Sequence, residues 1–327
     1  MTTKVIKAQS LRQLDGTDRF ERRVVFLSLC RHLRAAEIDD LKAFRGSKFS
    51  GNPYQGFFQF LAHLSTTNLS EDTIHRAHRR ATSDTPVESE LSTSSNEDSR
   101  EMVSTAALND LVRYTLMNMK TYHELATSPT PEGTRPKLDL VPGEARFKFS
   151  LGGVRHEVVN DSYIGVNYPG SMSGSDRISQ LPVVNMECKP RNAGGLKRGS
   201  GEPERFSPSV FAQEVAELIG SMFKQHQATL LPCKSKDQES FVLSMHGTLF
   251  YLSTAYFPPD YIAYLEKGQH AKAGSLYLWV RRSVHFDLKN VGERIEALRC
   301  IWALIRYITS GEAKLNIVSS AIELRKR

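Results

Sequence analysis

The feature that most constrains the fold is a change of hydrophobic period near the middle of the chain. In TAALNDLVRYTLMNMKTYHELA, residues 105–126, apolar residues recur at helical spacing, whereas in ARFKFSL, VRHEVVNDSYIGVN and PVVNMECKP they alternate. A two-residue period buries one side of a strand and a 3.6-residue period buries one stripe of a helix. The chain therefore passes from helix into sheet. It returns to helix in SVFAQEVAELIGSMFKQ, to strands in SFVLSMHGTLFYLSTAYF and SLYLWVRRSVHF, and to a last long helix in GERIEALRCIWALIRYI. This order of elements predicts an α+β fold.

The region from about Asp18 to Arg80 also reads as helical, through FERRVVFLSLCRHLRAAEIDDLKAF and a helix start at Asn68. Arg76, Arg79 and Arg80 in it read as a solvated face. SDTPVESELSTSSNEDS, residues 83–99, has almost nothing to bury and is expected to be a linker. The expected organisation is an N-terminal helical region over 1–82, an acidic Ser/Thr-rich linker over 83–104 and the main domain over 105–327. A Pro-rich turn, SPTPEGTRP, separates the first helix of that domain from its strands.

Charge is unevenly distributed. Residues Ser83 to Glu101 hold six acids against one arginine, a charge of −5, so the remainder of a chain whose net charge is +7 carries +12. That balance suits a polyanionic partner such as nucleic acid, and it suits plain solubility equally well. The polar opening MTTKVIKAQSLRQLDG resembles no signal peptide, and Arg299 and Arg306 interrupt the most apolar helix. The expected setting is intracellular, nucleus or cytoplasm, with no membrane span. Cys30, Cys188, Cys233 and Cys300 lack the spacing of a zinc site.

In LPVVNMECKPR, residues 181–191, Val184, Met186 and Cys188 point to one side of the strand and Asn185, Glu187 and Lys189 to the other. Asp161 lies 26 residues before Glu187, enough for two neighbouring strands joined by a loop. Two carboxylates beside a lysine offer hard oxygen ligands for Mg²⁺ and a cation for charge that builds on a phosphate. The bland alternative is an ion pair on a half-exposed strand. Acid-x-Lys spacing also occurs at Asp40/Lys42, Asp287/Lys289 and Glu312/Lys314. Asp287/Lys289, with Asp260 upstream, is the main rival, although Asp260 reads as a helix start and Asp287 as a helix cap. His123, His156, His246 and His285 show no ligand spacing, and Phe250, Tyr251, Tyr256 and Phe257 read as core rather than as a base-stacking platform. Arg191, Lys197, Arg198 and Arg205 lie in a Gly-rich loop suited to phosphate contact.

A helix, a β-meander with Asp161 in its second strand, Glu187-x-Lys189 in the third and then another helix resemble the PD-(D/E)xK nuclease-like superfamily. VLSMHGTLFYLSTAYFPPDYIAYL and ERIEALRCIWALIRYI are similar to its fungal members. The resemblance covers roughly Thr105 to Ile308 and implies a restriction-endonuclease-like central mixed sheet flanked by helices, preceded by the N-terminal helical region. It implies that Asp161, Glu187 and the Cys188 carbonyl bind Mg²⁺ or Mn²⁺ and that Lys189 positions the attacking water. Gln213 is the match for a glutamine on the following helix, and Glu124 the nearest match for a glutamate on the first. Asn160 stands where the superfamily has proline. The expected activity is metal-dependent hydrolysis of nucleic acid, DNA foremost. The alternatives are a module on the same fold that binds nucleic acid or protein without turnover, and a toxin-like or effector protein.

Overall fold

The computed structural model describes residues 3–6, 20–35, 49, 51–65, 90–125, 136–151, 153–167, 181–189, 208–228, 231–267 and 276–326. Strand β1 (Thr3–Ile6) precedes helix α1 (Phe20–Leu33), helix α2 over 55–65 and the long helix α3 (Glu90–Leu125). Strands β2 (Lys137–Val141), β3 (Arg146–Leu151), β4 (Val154–Val159), β5 (Ser162–Asn167) and β6 (Pro182–Lys189) follow. Helix α4 (Pro208–Gln227) leads to β7 (Gln238–His246), β8 (Leu249–Phe257), helix α5 (Pro259–Lys267), β9 (Trp279–Ser283) and β10 (Phe286–Asp287). Helices α6 (Val291–Thr309) and α7 (Asn316–Lys326) complete the described elements.

The central sheet is mixed, with strand order β1-β9-β8-β7-β6-β5-β2, and β10 pairs with β8. β6 runs parallel to β7 and antiparallel to β5. Its two faces are buried against different layers. On one side Val184, Met186 and Cys188 share a core with Phe26, Phe58, Leu108, Leu111, Ile301 and Trp302 from the helices. On the other, Val215, Leu218, Ile219 and Met222 of α4 pack with Phe147, Val242 and Phe257. A Cβ at Gly220 would lie 2.5 Å from the Phe147 Cβ, so glycine permits the close approach of α4 to β3. Gly247 turns the tight β7–β8 hairpin with φ of 61°.

The α+β architecture with helices before and around a mixed sheet is as the sequence predicts, but several details differ. α3 begins at Glu90, so most of the acidic stretch expected as linker is helical. Acids near a helix N-terminus suit its macrodipole, and a stretch poor in apolar residues gives no amphipathic signal. VRHEVVNDSYIGVN is not one strand. It divides at Asn160 and Asp161, so that β3 and β4 form a separate hairpin while β5 joins the main sheet. Asn160 fixes the break: its Oδ1 accepts from the Ala145 N–H at 2.7 Å and its Nδ2 donates to Asn185 Oδ1 at 3.1 Å. β1 and β2 are additional strands, and α7 follows the helix expected to be last. The helix start at Asn68 and the Asp40/Lys42 pair lie outside the described residues. No helix among them is long and apolar enough to cross a membrane.

Candidate metal centre

The register of two strands creates the site. Ser162 at the start of β5 pairs with Met186 near the end of β6, which brings Asp161 to the level of Glu187. The Asp161 N–H donates to Met186 O at 3.2 Å, and Asp161 Oδ2 accepts from the Cys188 N–H at 2.7 Å. Beneath α4, Asn185 Nδ2 donates to Glu217 O at 3.2 Å and Gln213 Nε2 donates to Glu187 Oε1 at 2.5 Å. Glu187 is only 1% exposed, on a strand with both faces covered. Lys189, the last residue of β6, places Nζ 2.5 Å from Glu187 Oε1 and 3.1 Å from Glu101 Oε1 on α3.

Carboxylate oxygens of Glu101, Asp161 and Glu187 all lie within 4.8 Å of one another. Burial, and then the Asp161 charge, push the Glu187 carboxyl up to about 7, against the opposing pull of Lys189. Burial also raises Asp161, with the Cys188 amide and Lys189 acting the other way. Burial alone would favour a neutral Lys189, but Glu187 and Glu101 outweigh it and hold the ammonium protonated.

A fourth carboxyl, Glu217, is completely buried next to Glu187, and burial together with Glu187 raises its pKa well above the usual range. Neither Glu217 oxygen nor Glu187 Oε2 meets an N–H or hydroxyl donor. The acid proton kept on Glu217 therefore supplies the hydrogen bond between the two carboxyls.

These residues fit a hard divalent cation. Three oxygen donors of the right chemistry converge, and the buried Glu187 Oε2 has no amine or amide partner. Two oxygens at about 2.1 Å from one Mg²⁺ are at most about 4.2 Å apart, so side-chain adjustments of a few tenths of an ångström bring the set within reach. Zinc would favour nitrogen and sulfur donors, which this cluster lacks.

Asp161, Glu187, Lys189 and Gln213, selected from the sequence, are thus brought together, and Cys188 joins them through its amide N–H to Asp161. Glu124 is not their neighbour. It lies on the same helix as Glu101 but 23 residues further on, about 34 Å along the axis at 1.5 Å per residue. On that helix it is Glu101 whose carboxylate lies with Asp161 and Glu187. Sequence reading missed Glu101 because it ends the acidic stretch, yet stepping back from Leu108 through Ser104 keeps one helix face and reaches it. Glu217 was missed because an acid in QEVAEL reads as solvated.

The other acid-x-Lys pairs are elsewhere. Lys289 Nζ lies 3.6 Å from Asp287 Oδ2, the N-cap of α6 is Asn290 rather than Asp287, and Asp260 sits in the first turn of α5. The basic loop residues Arg191, Lys197, Arg198 and Arg205 are outside the described residues. Phe250, Tyr251 and Phe257 are core as expected, but Tyr256 is exposed.

A second buried polar cluster lies deeper under α4. Glu214 Oε1 is 3.2 Å from both His246 Nε2 and Arg282 Nη2, Glu214 Oε2 accepts from Ser253 Oγ at 3.2 Å, and the Arg282 guanidinium lies 4.0 Å from the Tyr251 ring centroid. Burial acts to raise the Glu214 pKa, but His246 and Arg282 hold it below the usual value. His246 is therefore tied into this cluster. No protein-family model matches the chain, and comparison with curated proteins finds no match.

Proposed function

We propose that the protein is a divalent-metal-dependent nuclease that hydrolyses phosphodiester bonds at the Glu101, Asp161, Glu187 and Lys189 cluster. The observation that supports this reading best is the convergence of three carboxylates within 4.8 Å beside a lysine ammonium. An isolated surface ion pair needs no such set, and gathering three acids around the buried Glu187 costs stability unless they are given cationic partners. The resemblance to PD-(D/E)xK nucleases adds the strand and helix order around the cluster. Asp161, Glu187 and Glu101 would hold Mg²⁺ or Mn²⁺, which when bound supplies Lewis acidity and lowers the pKa of coordinated water. The Cys188 carbonyl is a further candidate ligand by the same resemblance.

The chain's own residues have separable tasks. Asp161 is fixed by the Cys188 amide and Glu187 by Gln213, so neither carboxylate is free to swing away. Lys189, held charged, orients the attacking water and offsets charge that develops on the phosphoryl oxygens. Gln213 is a positioning residue here. DNA is the expected substrate, the basic remainder of the chain provides non-specific phosphate attraction, and the expected workplace is the nucleus or cytoplasm.

A second reading has an observation in its favour. Lys189 Nζ already bridges Glu101 and Glu187, as it would in a module that keeps the scaffold and binds without turnover. Incubation of pure protein with plasmid and single-stranded DNA in Mg²⁺, Mn²⁺ or EDTA separates the two. Cleavage in either metal, stopped by EDTA and lost in a folded Asp161→Ala protein, supports the nuclease. Binding with no cleavage in any metal supports the module instead.

A further inference from the structure

Strand β9 carries an alternation that the metal centre does not use. Leu278 and Val280 point into the core beneath α4, while Trp279 and Arg281 lie on the opposite, solvent-facing side. Tyr256 on β8 pairs directly with Trp279, and Thr254 pairs with Arg281, so the four residues share one face. Trp279 is 48% exposed and Tyr256 46%, and Tyr277, two positions before Trp279, is 59% exposed. Two large exposed aromatics paired across one sheet face, with Tyr277 exposed nearby in sequence, mark that face as a candidate interaction surface. The Tyr256 hydroxyl donates to Asp237 Oδ2 at 3.0 Å, which fixes the tilt of its ring.

We infer that this face is a binding site for single-stranded nucleic acid, in which bases stack on Trp279 and Tyr256 and Arg281 meets the backbone phosphate. Alternate residues along a strand are about 6.6 to 6.8 Å apart and directly paired residues about 4.5 to 5.5 Å. Such spacings suit bases spread along an extended strand, whereas duplex bases already stack on one another and offer no faces. Two acids, Asp237 and Glu239, and two cations border the patch, so the attraction for a polyanion comes from the chain as a whole and from Arg281 on the stacking face. Arg281 is exposed beside Trp279, Lys236 is exposed next to Asp237, and the chain outside its acidic stretch carries +12. Every base has a π-face, so the site is sequence-tolerant.

This inference does not rest on the nuclease reading. His246 pairs with Leu249 at the metal-centre end of the β7–β8 ladder, whereas Tyr256 pairs with Glu239 at its far end, about 23 Å away at 3.3 Å per residue. A metal-free binding experiment therefore tests it alone.

The test uses the full chain in EDTA with a labelled oligodeoxythymidylate. The chain has two tryptophans, and Trp302 is 1% exposed, so stacking is read from the emission of Trp279. Saturable quenching is expected, with affinity falling roughly 5- to 150-fold in Trp279→Ala and in Tyr256→Ala, the range for one stacked base. Trp279→Phe should retain most of the affinity, and Arg281→Ala should reduce the salt slope by about 0.7. Unchanged affinity in both alanine variants overturns the site, as does equal binding of a blunt duplex with the same indifference to them. Self-association without DNA that disappears in Trp279→Ala also overturns it, because the face would then bind a second copy of the chain.

Discussion

Lys189 Nζ lies 3.1 Å from Oε1 of Glu101, a residue 88 positions earlier in the chain. That contact joins the long α3 helix to the end of the central strand β6, and the same ammonium touches Glu187. One cation thus bridges two of the three clustered carboxylates. A divalent ion bound at the proposed site would have to share or displace this partnership.

Glu101 should therefore matter and Glu124 should not. Glu101→Gln removes one of three anionic donors and is expected to raise the Mg²⁺ concentration for half-maximal activity by about tenfold or more, the scale at which ligand-shell losses act. Glu124→Gln, about 34 Å further along the helix, should leave it unchanged. A Mg²⁺ titration of cleavage for both variants checks this, and a larger effect at Glu124 would reverse the assignment.

The raised Glu187 carboxyl gives a pH signature in metal-free protein. Its pKa rises from 4.5 to about 7 on folding, so between those values the unfolded chain gives up its proton and the folded one keeps it. Stability from this group is full below about pH 4.5, declines as pH rises to about 7 and is then flat. Glu187→Gln lacks this decline. Urea unfolding in EDTA should show the variant gaining on wild type across that window, whereas a constant difference would mean that Glu187 is already ionised in the acid range.

Lys189→Met should separate turnover from binding. Removal of a group that stabilises transition-state charge lowers cleavage on the order of a hundredfold or more. DNA affinity is spread over many basic residues and should fall only slightly while keeping its steep salt dependence. Wild-type cleavage in a folded Lys189→Met protein would take Lys189 out of the mechanism and bring Asp287/Lys289 forward.

The deeper cluster is predicted to be structural. Arg282→Met leaves the buried Glu214 without its strongest cation and should cost about 3 to 5 kcal/mol, the penalty for breaking a buried pair. Pairing it with Glu214→Leu should recover most of that loss. Denaturant midpoints of the single and double variants decide this, and a double variant no more stable than the single would mean that Glu214 has enough other support.

How much of this was legible depended on period and register. The alternation in PVVNMECKP correctly separated Met186 and Cys188, which face the helical core, from Asn185 and Glu187, which face α4. Asp161 was found because only a loop separates two strands whose ends adjoin. The break at Asn160 was hidden, since it depends on side-chain bonds to Ala145 and Asn185 that are distant in sequence. Glu101 was hidden for another reason: acids that open a helix look like linker when no apolar stripe runs through them. Tyr256 was misread as core because strand alternation does not tell which face is covered. Only the third dimension shows that its side chain stays exposed.

Glu101, Asp161 and Glu187, from three separate parts of the chain, are proposed to form one cation site. Mn²⁺ titration followed by electron paramagnetic resonance measures this directly, because free and bound Mn²⁺ differ in signal. The account predicts one tightly bound Mn²⁺ per chain, competed by Mg²⁺, lost in folded Glu187→Gln and kept in Asp287→Asn. Binding that is absent from wild type, or equally strong in Glu187→Gln, would contradict it.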